Sequence, residues 1–286
     1  MANPSVKIGL ALGGGGARGL AHIWAIKAIE ELGLEVNVIS GTSIGAMIGA
    51  AHASGMSGDD LLIYVQEKLK NTAKIVSQIF SASPSDLVDL LNPFKPALLN
   101  GETLLDILLP NQVVNDFSEL KIPLKIITTN YYEGSEFIIT KGNLGLAITA
   151  SAAIPAVFRP VIMDGNIYID GAYCNPVPYS TILDDCDFSI AINVNGRPIK
   201  PKKSTKKSNK TSVFIPTSKD VLYASNQLMQ NRIMEERLCH SAPDIYMHAP
   251  IDKFKVMDFH KAQEILEATK PMKDALKREI TLILGL

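Results

Sequence analysis

The residues of this chain whose types and spacing suit chemistry lie in two glycine turns. Residues 41–45 read Gly-Thr-Ser-Ile-Gly. In a G-x-S-x-G turn the serine sits on a strained strand-to-helix bend with its hydroxyl raised from the sheet, and glycines such as Gly41 and Gly45 let the flanking segments pack closely. Ser43 is then a nucleophile. The plainer reading is a serine capping a helix between two glycines. Residues 13–16 are four successive glycines, costly to order because glycine loses more backbone freedom on folding than any other residue. Bare backbone there suits one of three ligands: a dinucleotide pyrophosphate, a nucleoside triphosphate, or an oxyanion that forms and vanishes during a reaction.

Gly14, Gly16 and Gly19 satisfy G-x-G-x-x-G, with Glu35 about 20 residues on, as a dinucleotide fingerprint requires. The acid of that fingerprint ends the second strand, where it reaches a ribose, whereas Glu35 precedes the second apolar run. A Walker loop needs lysine after its last glycine, and Leu20 follows Gly19. The oxyanion reading remains. Adjacent strand ends of a parallel sheet lie at one edge, so the amides of residues 13–16 and the Ser43 hydroxyl face one crevice. Amides at a helix N-terminus suit a developing negative charge. Arg18 either adds positive charge to that crevice or braces the loop, and its position supports both readings equally.

The elements that must hold these turns follow from apolar periodicity. Residues 6–12 read as a buried strand and residues 20–33 as an amphipathic helix ending at Gly33; residues 36–40 and 46–55 repeat the strand and helix around the second turn. A strand-turn-helix opening used twice argues for a parallel sheet covered by helices. Residues 59–116 are helical in pattern but broken by "SASPSD" and "NPFKP", and are expected to form a mobile cap or lid. Strand pairs are expected around Glu133–Gly134 and Asp164–Gly165, with a further strand at residues 188–194. A helix running to Leu238, a strand at "DIYMH" and a terminal helix over residues 259–284 complete the pattern. We read one catalytic domain over residues 1–286, with its motif-bearing core at about 6–196, a basic loop at 197–210 and a C-terminal helical region at 211–286.

Composition narrows the function. With 286 residues, 47% of them hydrophobic, the chain has ample material for a core, and a formal net charge of −1 removes any whole-protein case for nucleic acid. Three cysteines, an odd number too small for a disulfide framework, point to the cytoplasm. The apolar run before the glycines is too short for a signal-peptide core, and no stretch reaches the length of a membrane span. From Arg197 to Lys210 there are seven basic residues and no acidic one. That segment is a solvated loop first, and a peripheral contact with anionic membrane second. No His, Cys and carboxylate cluster has metal-ligand spacing, so no metal or other cofactor is expected.

The group that takes the proton from Ser43 is less plain. Of the five histidines, His22 and His52 fall within helices, and His248 after "DIYMH" is the one that suits a Ser-acid-His order. That order belongs to a fold whose nucleophile follows a mid-sheet strand, whereas this elbow follows the second. Asp170, in "YIDGAYCNPVP", ends a strand, and by itself would be an ordinary turn aspartate.

Taken together and in this order, "GGGGARG", "GTSIG", "ASAAIPAVFRPV" and "DGA" resemble the patatin-like phospholipases, bacterial-type patatin-like acyl hydrolases included, over nearly the whole chain. The resemblance implies a three-layer α/β/α sandwich with a mainly parallel central sheet and a Ser-Asp dyad. It assigns Ser43 as nucleophile, Asp170 as general base, and Gly14, Gly15, Gly16 and Arg18 to the oxyanion hole. A solvated aspartate, with a pKa near 3.9, is a poor base for a serine hydroxyl, so Asp170 has to be sheltered. The expected function is hydrolysis of lipid acyl esters of phospholipase A or lysophospholipase type. Residues 104–109 and 152–158 are the apolar stretches expected to line an acyl site. The alternatives are acyl transfer on the same dyad, or a non-catalytic lipid-sensing regulator of the same fold.

Overall fold

The computed structural model describes residues 6–68, 108–155, 157–198 and 216–286. Strand β1 (Ile8–Leu12) is buried along its whole length, as a strand covered on both faces must be. The chain then passes through a short 3-10 turn (Gly16–Ala21) into α1 (His22–Glu31), and through β2 (Val36–Thr42) into α2 (Ile44–Ala53) and α3 (Gly58–Lys68). Beyond these lie β3 (Leu124–Asn130), β4 (Glu136–Ile139), α4 (Leu144–Ser151), β5 (Val161–Met163), β6 (Asn166–Asp170) and β7 (Phe188–Asn193). Helix α5 (Ser218–His240), β8 (Ile245–His248), α6 (Ala262–Thr269) and α7 (Pro271–Leu284) follow.

One eight-stranded sheet runs in the order β5-β6-β3-β2-β1-β7-β8, with β4 also paired to β3. It is parallel from β3 through β2, β1 and β7 to β8, and antiparallel where β4, β5 and β6 join. Helices flank it, as the repeated strand-turn-helix pattern implies. The main apolar core joins the buried strands to α1, α2, α6 and α7, and the Trp24 indole nitrogen ties α1 to α6 by donating to the Leu266 carbonyl at 2.9 Å. The two-residue turn at Asp164 (φ 50°) and Gly165 (φ 79°) has the paired left-handed geometry that suits a tight hairpin, and it joins β5 to β6 as expected.

Two of the boundaries that differ from expectation have a plain local cause. The terminal helix is broken, with α6 ending at Thr269 and α7 beginning at Pro271, because proline has no N–H to give and is best placed in a first helical turn. The helix expected from residue 20 starts at His22, after a 3-10 turn that carries the glycine loop into it. Of the expected lid, residues 69–107 lie outside the described residues, as do residues 199–215, which hold most of the basic segment. No helix among the described residues is long and apolar enough to cross a membrane.

Candidate active site

Strand β3 brings the two halves of the site together. Its residue Ile127 pairs with Thr42 of β2, and its next residue, Thr128, pairs with Asp170 of β6. The other flank of both residues is taken by β4, through Ile138 and Phe137. A strand has two hydrogen-bonding flanks, so β2 and β6 share one. They approach each other head-on along β3, and Ser43, following Thr42, meets Asp170 where both strands stop.

The elbow is held from several sides. Ser43 has φ 56° and ψ −119°, a left-handed backbone that a side-chain-bearing residue adopts only at a cost of about 1–3 kcal/mol. A Cβ added at Gly45 would run into the Leu12 carbonyl, and one added at Gly41 would lie 2.7 Å from the Ala46 nitrogen. The turn therefore closes only with glycine on both sides of Ser43. The Ser43 amide donates to Ser151 Oγ at 2.8 Å, whose hydroxyl donates to the Ile127 carbonyl at 2.5 Å. Thr42 Oγ1 donates to the Asn175 carbonyl at 2.8 Å, which binds the elbow to the loop after Asp170.

Asp170 is buried, with 3% of its surface exposed, and its Oδ1 accepts the Ala172 N–H at 2.8 Å. The Ser43 hydroxyl faces this carboxyl closely enough to favour its charged form. Burial pushes the carboxyl up to about 6, against the pull of the Ala172 N–H and the Ser43 hydroxyl, which favour its charged form. The shelter that a serine-activating aspartate needs is present.

The glycine loop stands beside them. A Cβ built on Gly14 would lie 3.5 Å from the Ser43 Cβ and 3.4 Å from the Ala172 Cβ. Gly13 N–H donates to the Ile192 carbonyl at 3.0 Å, and Gly14 N–H to the Pro176 carbonyl at 2.9 Å. The Gly15 and Gly16 amides have no acceptor among the described residues. Gly14 thus offers close approach, and the two glycines after it offer donors. Arg18 is 1% exposed and donates its Nε–H to the Gly15 carbonyl at 3.1 Å. Burial lowers its pKa to about 10, against the attraction of Asp252 and Asp258.

Among the described residues no histidine is hydrogen-bonded to Ser43 or Asp170. His248 ends β8, three strand spacings from β2, or about 14 Å. Its Nε2 lies 3.8 Å from Asp252. His52 is bonded to the Met56 carbonyl, and His22 to the Gly13 carbonyl, each at 2.8 Å. Ser151 escaped the sequence reasoning. Its signal was a hydroxyl inside an apolar helix, which needs a partner once buried.

An apolar cavity of about 50 Å³ lies against α2, lined by Ile44, Met47, Ile48 and Ala51 with Leu61 and Leu108. Ser43 and Asp170 are not in its wall, although Ile44 directly follows Ser43. Of the apolar stretches expected around an acyl chain, Leu108 reaches this cavity, Ala152, Ala153 and Phe158 are core, and residues 104–107 lie outside the described residues.

Residues 10–183 match the family model described as patatin-like phospholipase. An uncharacterised NTE family protein of Mycobacterium bovis is 33% identical over 202 residues, covering 70% of this chain and 52% of that protein. A lysophospholipase of Kluyveromyces lactis is 27% identical over 280 residues, covering 91% of this chain and 18% of the relative. The chain thus spans about half the length, or less, of the curated relatives it matches. Among solved structures, VipD from Legionella pneumophila superposes with a TM-score of 0.50 at 15% identity, over 96% of this chain and 67% of that one. At that identity the likeness speaks for the fold.

Proposed function

The chain belongs to the patatin-like phospholipase family, and from that premise we propose that it hydrolyses lipid acyl esters through an acyl-enzyme at Ser43. The observation that carries this is the meeting of the buried Ser43 and Asp170 side chains where β2 and β6 stop, beside a glycine loop whose Gly15 and Gly16 amides have no acceptor among the described residues. Asp170 takes the hydroxyl proton as Ser43 Oγ attacks the ester carbonyl, and the carbonyl oxygen becomes an oxyanion facing the Gly15 and Gly16 N–H groups beside Gly14. Collapse expels the alcohol, which takes the proton from Asp170. Water then attacks the acyl-enzyme, gives a proton to Asp170, and leaves as the carboxylic acid while Ser43 recovers its hydrogen. A carboxyl group titrating near 6 is mostly ionised at neutral pH and a far better acceptor than a solvated aspartate.

Lysophospholipids are the first substrates to test, since one relative bears that activity in its name. Peripheral contact with anionic membrane through the basic run from Arg197 to Lys210 belongs to the same proposal, each nearby charge adding about 1 kcal/mol. The test is fatty-acid release from lysophospholipids, diacyl phospholipids and acylglycerols, beside labelling by a serine-reactive fluorophosphonate. We expect turnover and labelling in the parent and neither in Ser43→Ala. Labelling without release from any ester would favour acyl transfer, and an unlabelled, inactive, folded parent would favour a lipid sensor.

A further inference from the structure

We propose that His22 and Arg18 are positioning residues that lock the peptide planes of the glycine loop by gripping two of its carbonyls, so that the Gly15 and Gly16 N–H groups are held toward Ser43. The inference rests on the oxyanion role proposed above for those amides.

Four glycines in a row have no side chains to fix their orientation, so each peptide plane is free to flip unless something outside the loop holds it. The holds can be followed plane by plane. The Leu12–Gly13 peptide is fixed by Gly13 N–H on the Ile192 carbonyl at 3.0 Å. The Gly13–Gly14 peptide is fixed at both ends, by Gly14 N–H on the Pro176 carbonyl at 2.9 Å and by His22 Nε2 on the Gly13 carbonyl at 2.8 Å. The Gly15–Gly16 peptide is fixed by Arg18 Nε–H on the Gly15 carbonyl at 3.1 Å, and the Gly16–Ala17 peptide by Ala17 N–H on the Val256 carbonyl at 2.7 Å. In a trans peptide the N–H points opposite to the C=O. By holding the Gly15 oxygen on its own side, Arg18 turns the Gly16 N–H to the other. The Gly14–Gly15 peptide is then trapped between two fixed planes.

Both side chains are placed for this grip, Arg18 through Nε while its buried Nη1 has no partner among the described residues. His22 is fully buried, and a carbonyl oxygen can only accept, so its Nε2 must carry the proton and its Nδ1 must be bare. Nδ1 has no partner among the described residues, which fits a ring whose single N–H is committed to the loop. Burial lowers its pKa to about 4, so the ring holds one proton at neutral pH. Arg18 keeps its charge there and is walled in by Gly196, where an added Cβ would collide with Nη1. Neither side chain has to touch the reacting atoms. A hydrogen bond from a charged donor such as Arg18 fixes its acceptor more firmly than a neutral one.

The experiment compares Arg18→Met, Arg18→Lys, His22→Leu and His22→Gln in the full chain, with Ser43→Ala as reference. Losing one oxyanion donor costs about 10²–10³-fold in kcat, and a loosened donor should cost part of that. We expect kcat to fall about 10-fold or more in His22→Leu and Arg18→Met, with KM within about 2-fold, and fluorophosphonate labelling to slow in parallel because the phosphonyl oxygen uses the same donors. His22→Gln, whose amide can still donate to Gly13, should recover most of the loss. Combining His22→Leu with Arg18→Met should cost less than the product of the single losses, since both act on one loop. Folded single variants with parent kcat would overturn the proposal, as would a loss seen equally in His22→Gln and His22→Leu. In the unmodified protein, imidazole nitrogen NMR must find His22 protonated at Nε2, and the opposite tautomer refutes the brace without any variant. If Ser43→Ala itself stays active, the hydrolase reading fails instead.

Discussion

The two glycine turns of this protein are built alike and work differently. Each leaves the C-terminal end of a parallel strand and opens a helix, β1 into the 3-10 turn before α1 and β2 into α2. In the proposed chemistry the second turn acts through one side chain, that of Ser43, whose backbone is held at φ 56°. In the first turn no side chain of the loop matters, and its backbone is held by groups from outside: Ile192, Pro176, Val256, His22 and Arg18. Both turns are held from outside, the second by Ser151 and Asn175 around one residue, the first by separate holds spread over several bare peptide planes. Damage to the second should be abrupt and damage to the first graded.

The largest test of that contrast after Ser43 is Asp170→Asn. The amide keeps the carboxylate's shape and can still accept from Ala172 N–H, but it cannot take the Ser43 proton, so hydrolysis of a short-chain nitrophenyl ester should fall about 10²–10⁴-fold. Stability should move the other way. The Asp170 carboxyl is raised to about 6, so its contribution to native stability is fully present below about 3.8 and lost as pH rises through 6. At pH 7 the asparagine variant escapes that loss and should resist urea better by on the order of 1–3 kcal/mol, with the gap closing toward pH 4. In the parent, kcat/KM should climb with pH through about 6 as Asp170 ionises. An inactive variant that is also less stable at pH 7 would separate activity from burial at this site.

Smaller effects follow from the glycines. Gly16→Ala places a Cβ against the Val256 carbonyl at φ 57°, and should lower stability by about 1–3 kcal/mol, read as a drop in Tm. Gly14→Ala meets only ordinary contacts of 3.4–3.5 Å and should leave Tm nearly unchanged. Equal damage at both positions would mean that the loop is not pinned as its hydrogen bonds imply. The smallest expected effect is His248→Gln, which should keep activity within about 2-fold, being about 14 Å away along the sheet. A folded, inactive His248→Gln would replace the dyad with a triad.

Much of this was legible in the sequence, for identifiable reasons. Strand β1 is a continuous apolar run and β2 and β7 are largely apolar, and the two glycine turns mark where β1 and β2 stop. Glu35 stands just before β2, as its place ahead of the apolar run implied. What stayed hidden was whatever depends on distant pairing. No local pattern reveals that Gly14 N–H is taken by Pro176, or that Arg18 is buried against the loop it follows. Ser151 looks like any hydroxyl in a helix until α4 packs beside Ile127. The break at Pro271 was written in the sequence but masked by apolar periodicity on both sides of it.

The head-on meeting of β2 and β6 along β3 also governs how the molecule acquires its chemistry. In a chain whose β1, β2 and β3 had paired while β6 was still undocked, Ser43 would stand without Asp170 and without the bond from Thr42 to Asn175. The bond from Thr42 to Asn175 that closes the gap spans 133 residues of chain. Contacts of that range form slowly, since the entropy of closing the loop is lost before the contact repays it. During refolding, then, regained turnover would time the arrival of one antiparallel strand, and would trail the recovery of helix signal rather than accompany it.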